Sequence, residues 1–312
     1  MPKSSNIFTE ISSKNQFVAE FYNEISLYLK REDLIHPEVS GNKFRKLKYN
    51  IARALEEKQK TLLTFGGAYS NHIAATAAAG ELFGLETIGV IRGEELGKDL
   101  ETTLAQNPTL KFANSCGMQF KFISRGDYRK KENRELQEEL KKEFGEFYLV
   151  PEGGTNELAV KGCQEILTEK DREFQFVAVS VGTGGTLAGL VNASDINQKI
   201  LGFPALKGDF LSEEIDKYSF NSNWELKTDY HFGGYAKVDS ELINFINNFK
   251  KKYKIQLDPV YTGKLVFGIF DLIKAGYFPS GSKIMAIHTG GLQGIQGMNT
   301  FLKKKKLPLI TF

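Results

Sequence analysis

The chain has 312 residues, 41% hydrophobic and 25% charged, with 41 basic and 38 acidic side chains giving a net charge of +3. That length suits two ordinary domains or one large one, and the near balance of charge argues against general nucleic-acid binding, which needs a concentrated basic surface. Two cysteines, Cys116 and Cys163, are too few for a disulfide framework, no apolar run reaches the roughly 18 residues of a membrane span, and Met1–Asn6 lacks a signal-peptide pattern, so the expected setting is the cytoplasm.

In chain order, Ile25 to Lys30 reads as a strand, and Pro37 and Gly41 punctuate the approach to the first long helix. Ser40-Gly41-Asn42 is a polar turn opening that helix, which runs to about Glu57 with Phe44, Leu47, Ile51, Ala54 and Leu55 on its core face. Lys43 stands at the mouth of the helix. The positive end of the helix dipole and the neighbouring Arg45, Lys46 and Lys48 favour its neutral amine, the form that attacks a carbonyl carbon. By itself such a basic run more often means a solvated face.

The chain then alternates strand, loop and helix. Strands are predicted at Thr61–Phe65, Glu86–Ile91, Met118–Ile123 and Phe147–Pro151. Helices are predicted at Ile73–Leu82, at 98–115 with a break at Pro108, and at the highly charged, exposed Tyr128–Phe144. This alternation implies a parallel sheet with helices on both faces. Beyond Gly153-Gly154-Thr155-Asn156, read as a boundary, come a helix at Glu157–Glu169, a buried strand at Phe176–Val181, a helix from Leu187 and a strand at Lys199–Phe203. Residues 204–239 read as loop-rich, around Trp224, Tyr230, Gly233 and Gly234. Helices at Ser240–Lys252 and Leu265–Ala275 flank the loop Leu257–Lys264, Lys283–His288 is the last strand, and Lys303–Lys306 is a solvated basic turn.

Several loops carry possible chemistry. Gly182-Thr183-Gly184-Gly185-Thr186 lies between a buried strand and a helix start, where backbone N–H groups and the helix dipole favour an anion such as phosphate. Its competing meaning is a tight turn without a ligand. Leu187 occupies the third glycine position of a dinucleotide fingerprint, and no Gly-Lys-Ser/Thr of a Walker loop is present after it. Gly66-Gly67-Ala68-Tyr69-Ser70-Asn71-His72 is a second strand–loop–helix junction that suits a carboxylate, although Ser70 alone reads as an ordinary N-cap and His72 as a structural partner. Asp258-Pro259-Val260-Tyr261-Thr262-Gly263-Lys264 sets an aromatic ring before a helix, and His288-Thr289-Gly290-Gly291 ends a strand, where parallel sheets place their ligands. No metal-binding pattern is read.

In combination these motifs, with Gly41-Asn42-Lys43-x-Arg45-Lys46-Leu47, resemble the 1-aminocyclopropane-1-carboxylate deaminase/D-cysteine desulfhydrase family, a branch of the fold type II pyridoxal-phosphate enzymes. The resemblance runs in order from about residue 25 to 295. It implies pyridoxal 5′-phosphate as cofactor and a small amino acid as substrate. Lys43 would carry the cofactor and take the substrate α-proton, and Lys46 would help neutralise the phosphate, held by Gly182, Thr183, Gly184, Gly185 and Thr186. Asn71 would hydrogen-bond the ring oxygen, Ser70 would bind the substrate carboxylate or relay a proton within the Ser70-Asn71-His72 motif, and Tyr261 would lie against the ring or face the substrate.

Two positions bear on the reaction. The cyclopropane-opening deaminases carry a glutamate after this tyrosine, paired with the pyridine nitrogen. Thr262, with Thr289, would leave that nitrogen mostly neutral, as in desulfhydrase-like members. The expected reaction is therefore β-elimination, with D-cysteine giving pyruvate, ammonia and sulfide. Tyr69 stands where the family usually has glutamine, which bears on the substrate side chain. Ring-opening deamination, a non-catalytic binding protein on the same fold, and a nicotinamide-dependent oxidoreductase are the competing readings. The resemblance further implies two α/β domains, each an open, mostly parallel sheet flanked by helices. The larger comprises residues 1–46 and 161–312 and the smaller 47–160, with the site between them and a homodimer as the assembled form.

Overall fold

A computed structural model describes residues 12–208 and 211–312. The Met1–Asn6 segment lies outside them. The chain begins with β1 (Asn15–Phe21) and β2 (Ile25–Lys30), then α1 (Asn42–Glu56), β3 (Thr61–Gly67), α2 (Asn71–Phe83) and β4 (Glu86–Arg92). It continues through α3 (Leu100–Gln106), α4 (Pro108–Ser115), β5 (Gln119–Ile123), α5 (Arg125–Tyr128), α6 (Arg134–Phe144) and β6 (Tyr148–Val150). The second half holds α7 (Glu157–Gln164), β7 (Phe176–Val181), α8 (Gly185–Ala193), β8 (Lys199–Pro204), α9 (Leu211–Asp216) and β9 (Trp224–Leu226). It ends with α10 (Ser240–Tyr253), α11 (Thr262–Lys274), β10 (Lys283–Ile287) and α12 (Gly294–Lys304).

The strands form two sheets. A four-stranded sheet, in the order β5-β4-β3-β6, is wholly parallel. A six-stranded sheet, in the order β1-β2-β10-β7-β8-β9, is parallel except where β1 pairs antiparallel with β2. Side-chain alternation explains why both faces of the larger sheet are covered. Ala178, Ile284 and Ala286 join a core with α10, α11 and α12. Their neighbours Val177, Val179, Met285 and Ile287 join another core with α7 and α8. In the smaller sheet, α1 and α2 bury Phe44, Leu47, Ile51, Ala75 and Ala79 with Leu62 and Val150, while Leu140 of α6 packs with Leu63 and Ile88. The expected α/β architecture with mostly parallel, helix-flanked sheets is the one found.

Local chemistry explains where elements differ from expectation. The helix predicted over 98–115 breaks at Pro108, which lacks an N–H, and Asn107 caps the new start by accepting from Leu110 N–H at 3.0 Å. The helix predicted to Glu169 stops at Gln164. Beyond it Thr168 and Asp171 form a capping box for a short 3-10 turn, with Asp171 anchored by Lys30 at 2.8 Å and Asn15 at 2.6 Å. The predicted Tyr128–Phe144 helix begins only at Arg134, because Tyr128 turns its ring into the core. Strands β1 and β9 and helices α9 and α12 have no counterpart among the predicted elements. Lys303–Lys306 is exposed, as expected, but its first half closes α12. Among the described residues no helix is long and apolar enough to cross a membrane. The C-terminal ends of β3, β7 and β10 converge, and there parallel sheets bind ligands.

Candidate active site

At the convergence, the start of α1 docks on the turn after β10. Gly41, at φ +64°, has no room for a side chain: a methyl there would overlap the Thr289 carbonyl. Asn42 N–H donates to the same carbonyl at 3.4 Å, and the Asn42 side-chain amide donates to Thr186 Oγ1 at 2.8 Å. Lys43 is next, half-buried, with its Nζ donating to Asn42 Oδ1 at 3.2 Å. Burial, and then the charge of Lys46, lower its pKa to about 7. Two of the neighbours expected to lower it are neutralised elsewhere. Arg45 makes a two-point ion pair with Glu32 at 2.9 Å, and Lys48 pairs with Glu165 at 2.7 Å. The depression therefore comes from desolvation and from Lys46 more than from the basic run as a whole.

The loop after β7 forms the opposite wall. Gly184, at φ +81°, precedes α8 and brings no side chain to cap it, so the first N–H groups of the helix receive no side-chain cap. Lys46 reaches across from α1, fully buried. Its Nζ donates to Gly153 O at 3.0 Å, Thr155 Oγ1 at 2.9 Å and Thr183 Oγ1 at 3.4 Å. Burial lowers its pKa to about 8. Gly182, Thr183, Gly184 and Thr186 line the cleft. Gly185 does not; it sits in the wall, where a methyl would come within 2.8 Å of Thr155 Cγ2. An uncapped helix start beside a buried ammonium and two hydroxyls is a set of donors suited to phosphate.

The loop after β3 supplies the third side. Ser70 is the N-cap of α2, its Oγ accepting from His72 N–H at 3.2 Å and Ile73 N–H at 3.4 Å. It also lines the cleft, and its own hydroxyl proton is left to donate. Asn71 Oδ1 accepts from Gln293 Nε2 at 2.9 Å. His72 Nε2 lies 2.9 Å from Thr64 Oγ1, which itself donates to Val150 O at 2.8 Å. The imidazole is therefore the donor in the first bond. Burial, then Lys43 and Lys46, push its pKa well below 6.5, so His72 is a neutral brace between β3 and α2.

The Tyr261 segment is organised by Asp258. That carboxylate accepts the N–H groups of Val260, Tyr261 and Thr262 at 2.8 to 2.9 Å, and the Thr262 hydroxyl at 2.7 Å. Thr262 Oγ1 in turn accepts Asp258 N–H at 2.9 Å. Thr262 is thus committed to the turn, fully buried, and absent from the cleft lining, contrary to its expected place beside a ring nitrogen. Thr289 does line the cleft, with its hydroxyl 3.4 Å from Ser180 Oγ. Tyr261 lines the cleft beside Gly182, with its ring edge-on to that of Tyr235 at a centroid distance of 6.3 Å. Burial keeps Tyr261 well above 10, so it remains a protonated donor. Tyr69 lies outside the cleft, 48% exposed, its ring packed over Gly297 of α12.

The cleft lies where these walls meet. Lys43, Lys46, Ser70, Asn71, His72, Tyr261 and Thr289 all line it. Sequence reasoning missed Asn42, Thr155, Ser180 and Tyr235. Asn42 stood beside the lysine, and Thr155 lay in a stretch read only as a boundary. Tyr235 came from the loop-rich region that offered no periodicity.

Comparison with known proteins agrees with this chemistry. A family model described as pyridoxal-phosphate dependent enzyme matches residues 11–290. A bifunctional D-cysteine desulfhydrase/1-aminocyclopropane-1-carboxylate deaminase, mitochondrial, of Arabidopsis thaliana is 32% identical over 298 residues, covering 88% of this chain and 74% of that protein. A 1-aminocyclopropane-1-carboxylate deaminase of Bradyrhizobium sp. (strain ORS 278) is 26% identical over 318 residues, covering 93% of each. A solved structure described as an ACC deaminase homologue has a TM-score of 0.81 and 30% identity, covering 95% of this chain and 94% of that one. The chain belongs to the pyridoxal-phosphate-dependent enzymes, in the branch that holds the 1-aminocyclopropane-1-carboxylate deaminases and D-cysteine desulfhydrases.

Proposed function

We propose that the enzyme catalyses β-elimination from a small amino acid, with D-cysteine and water giving pyruvate, ammonia and hydrogen sulfide. One observation carries the choice of reaction: among the described residues that line the cleft, none is Asp or Glu, and the hydroxyls of Ser180 and Thr289 stand in its wall. Bound there, pyridoxal phosphate supplies a ring that draws electron density from the substrate α-carbon. A wall of neutral hydroxyls, unlike a carboxylate, does not hold the ring nitrogen protonated. That capacity is then modest, which suits prompt departure of a β-leaving group over opening of a cyclopropane ring.

The remaining roles belong to this chain's own side chains. Lys43 Nζ, neutral in a substantial fraction near pH 7, would attach the cofactor and take the α-proton. The uncapped start of α8, Thr183, Thr186 and Lys46 would hold the phosphate. Asn71 would meet the ring oxygen and Thr289 the ring nitrogen. Ser70 would donate its hydroxyl to the substrate carboxylate or pass a proton, and Tyr261 would stand at the ring or substrate. The division into a larger unit of residues 1–46 and 161–312 and a smaller unit of 47–160, and a homodimer, belong to the same proposal.

Ring-opening deamination of 1-aminocyclopropane-1-carboxylate is the second reading, supported by the names of the Bradyrhizobium relative and the solved homologue. The two are separated by assaying purified holoenzyme for pyruvate and sulfide from D- and L-cysteine, and for 2-oxobutanoate from the cyclopropane amino acid. Pyruvate with equimolar sulfide from D-cysteine is the expected result. Turnover of the cyclopropane amino acid alone would overturn the proposal.

A further inference from the structure

Helix α11 starts directly after Tyr261, and its third residue is Lys264. Lys264 is 2% exposed, and its Nζ donates to the carbonyls of His231 at 2.8 Å and Gly234 at 2.9 Å. Asp258 and Asp239 attract the ammonium, but neither is its hydrogen-bond partner. Burying an ammonium costs several kcal/mol unless it is well bonded, and a methionine would fill the same volume without that cost. What the lysine adds is a grip on one loop.

That loop is conformationally demanding. Phe232, Gly233, Gly234 and Ala236 have φ of +53°, +91°, +120° and +55°, and two of these are not glycine. A non-glycine residue held left-handed persists only where its surroundings over-determine it. Besides Lys264, the surroundings include the Gly234 N–H donated to His231 O at 3.0 Å, the Lys237 N–H donated to Gly234 O at 3.2 Å, the Gly233 N–H donated to His231 Nδ1 at 2.9 Å, and the Phe232 ring set edge-on to Phe267 at 5.0 Å. Lys264 and Phe267 lie three apart on one face of α11, so a single helix face holds the loop. The loop delivers Tyr235, whose ring meets that of Tyr261 edge-on with centroids 6.3 Å apart. Tyr235 lines both the cleft and an outer pocket walled by Tyr69, Arg92, Lys237 and Met298. The position of the loop therefore sets the wall between them.

We propose that Lys264 is a positioning residue, its ammonium clamping the 231–237 loop so that Tyr235 closes the cleft and its ring sets the position of the Tyr261 ring. The consequence for turnover rests on the proposed β-elimination, because it needs Tyr261 at the substrate; the clamp stands on its own contacts.

The test uses holoenzyme carrying Lys264→Met, Tyr235→Ala, both together, or Gly234→Ala. In Lys264→Met, amide hydrogen exchange across 231–237 is expected to rise about tenfold or more, with β7 and β10 unchanged. KM for the amino acid is expected to rise about fivefold or more, while cofactor affinity holds. In the Tyr235→Ala background the same substitution should change KM less than about twofold, because both act through one contact. Independent, multiplying effects, or unchanged exchange in the loop, would overturn the proposal. Should Lys264→Met fail to fold, Gly234→Ala attacks the clamp from the loop side. A methyl there has room, its nearest neighbour being Lys207 Cβ at 3.8 Å, but φ +120° forces the carbonyl to move. The same exchange signature is expected, and wild-type exchange would refute the clamp. An enzyme inactive on every amino acid assayed would undo the proposed reaction, and loop exchange would still decide the role of Lys264.

Discussion

With Lys43 at about 7, roughly half of these amines are neutral at pH 7 in the folded protein, whereas the unfolded chain, near 10.5, is almost fully protonated. The folded pKa is the lower one, so the unfolded state binds more protons between about pH 7 and 10. Stability from this group therefore rises with pH through that window, by up to about 1.4 kcal/mol per pH unit, and is lost as pH falls toward 7. Lys46, lowered to about 8, contributes with the same sign. In cofactor-free enzyme, Lys43→Met should be more stable than the parent at pH 7, with the difference shrinking toward pH 10. Urea titrations at several pH values measure it; an unchanged slope would mean that the amine is not desolvated. The sequence disclosed the lysine, because a Gly-Asn-Lys turn at a helix mouth is local. It did not disclose the cause of its neutrality, because Arg45 and Lys48 look as influential as Lys46 until Glu32 and Glu165 are placed beside them. Thr262 misled for the same reason: its partner Asp258 is four residues away, but which way the hydroxyl turns is a property of the folded loop.

At the scale of elements, the site depends on three helices in backbone contact. A methyl at Gly162 of α7 would overlap the Arg45 carbonyl of α1, and one at Gly189 of α8 would come within 2.8 Å of the Val160 carbonyl of α7. Helix α1 carries Lys43 and Lys46 and α8 opens at the phosphate-suited loop, so these glycines set the distance between amine and anion site. Gly162→Ala should cost about 1–3 kcal/mol and weaken pyridoxal phosphate binding about tenfold or more. Glu165→Gln, at the half-exposed rim of the same interface, should cost about 1 kcal/mol and leave cofactor affinity unchanged. Denaturant and cofactor titrations together check both; a Gly162→Ala protein with parental affinity would show that α7 does not set this spacing. The alternation from β3 to β8 was legible because apolar strands and glycine loops recur there. Strands β1 and β9 are edges, one mixed in polarity and one three residues long. Helix α12 was hidden by Gly294 and Gly297, poor helix formers, and stands because Ile295, Met298 and Leu302 are buried.

Across the whole molecule, a net charge of +3 spread evenly would steer little, yet its distribution is not even. Lys43 and Lys46 line the cleft, and Arg92, Lys237 and Lys304 line the outer pocket, which shares Ser70, Asn71, Tyr235 and Tyr261 with it as a common wall. The one carboxylate among the described residues at that outer pocket, Asp258, is saturated by four hydrogen bonds. A walled path of one sign concentrates counter-ions and raises association rates in a salt-dependent way. Amino-acid substrates are zwitterions with little net charge to steer; the phosphate of the cofactor carries nearly two negative charges. Uptake of pyridoxal phosphate by cofactor-free enzyme, followed by stopped-flow absorbance, should therefore slow several-fold as salt rises from about 50 to 500 mM. Pyridoxal, which lacks the phosphate, should be nearly indifferent. Arg92→Gln, Lys237→Gln and Lys304→Gln combined should flatten the salt dependence while leaving the high-salt rate unchanged, because these side chains act before contact and not within the cleft. Equal salt dependence for the two aldehydes would place the charge effect elsewhere than on the phosphate, and a steep slope surviving in the triple variant would locate the steering at Lys43 and Lys46 themselves.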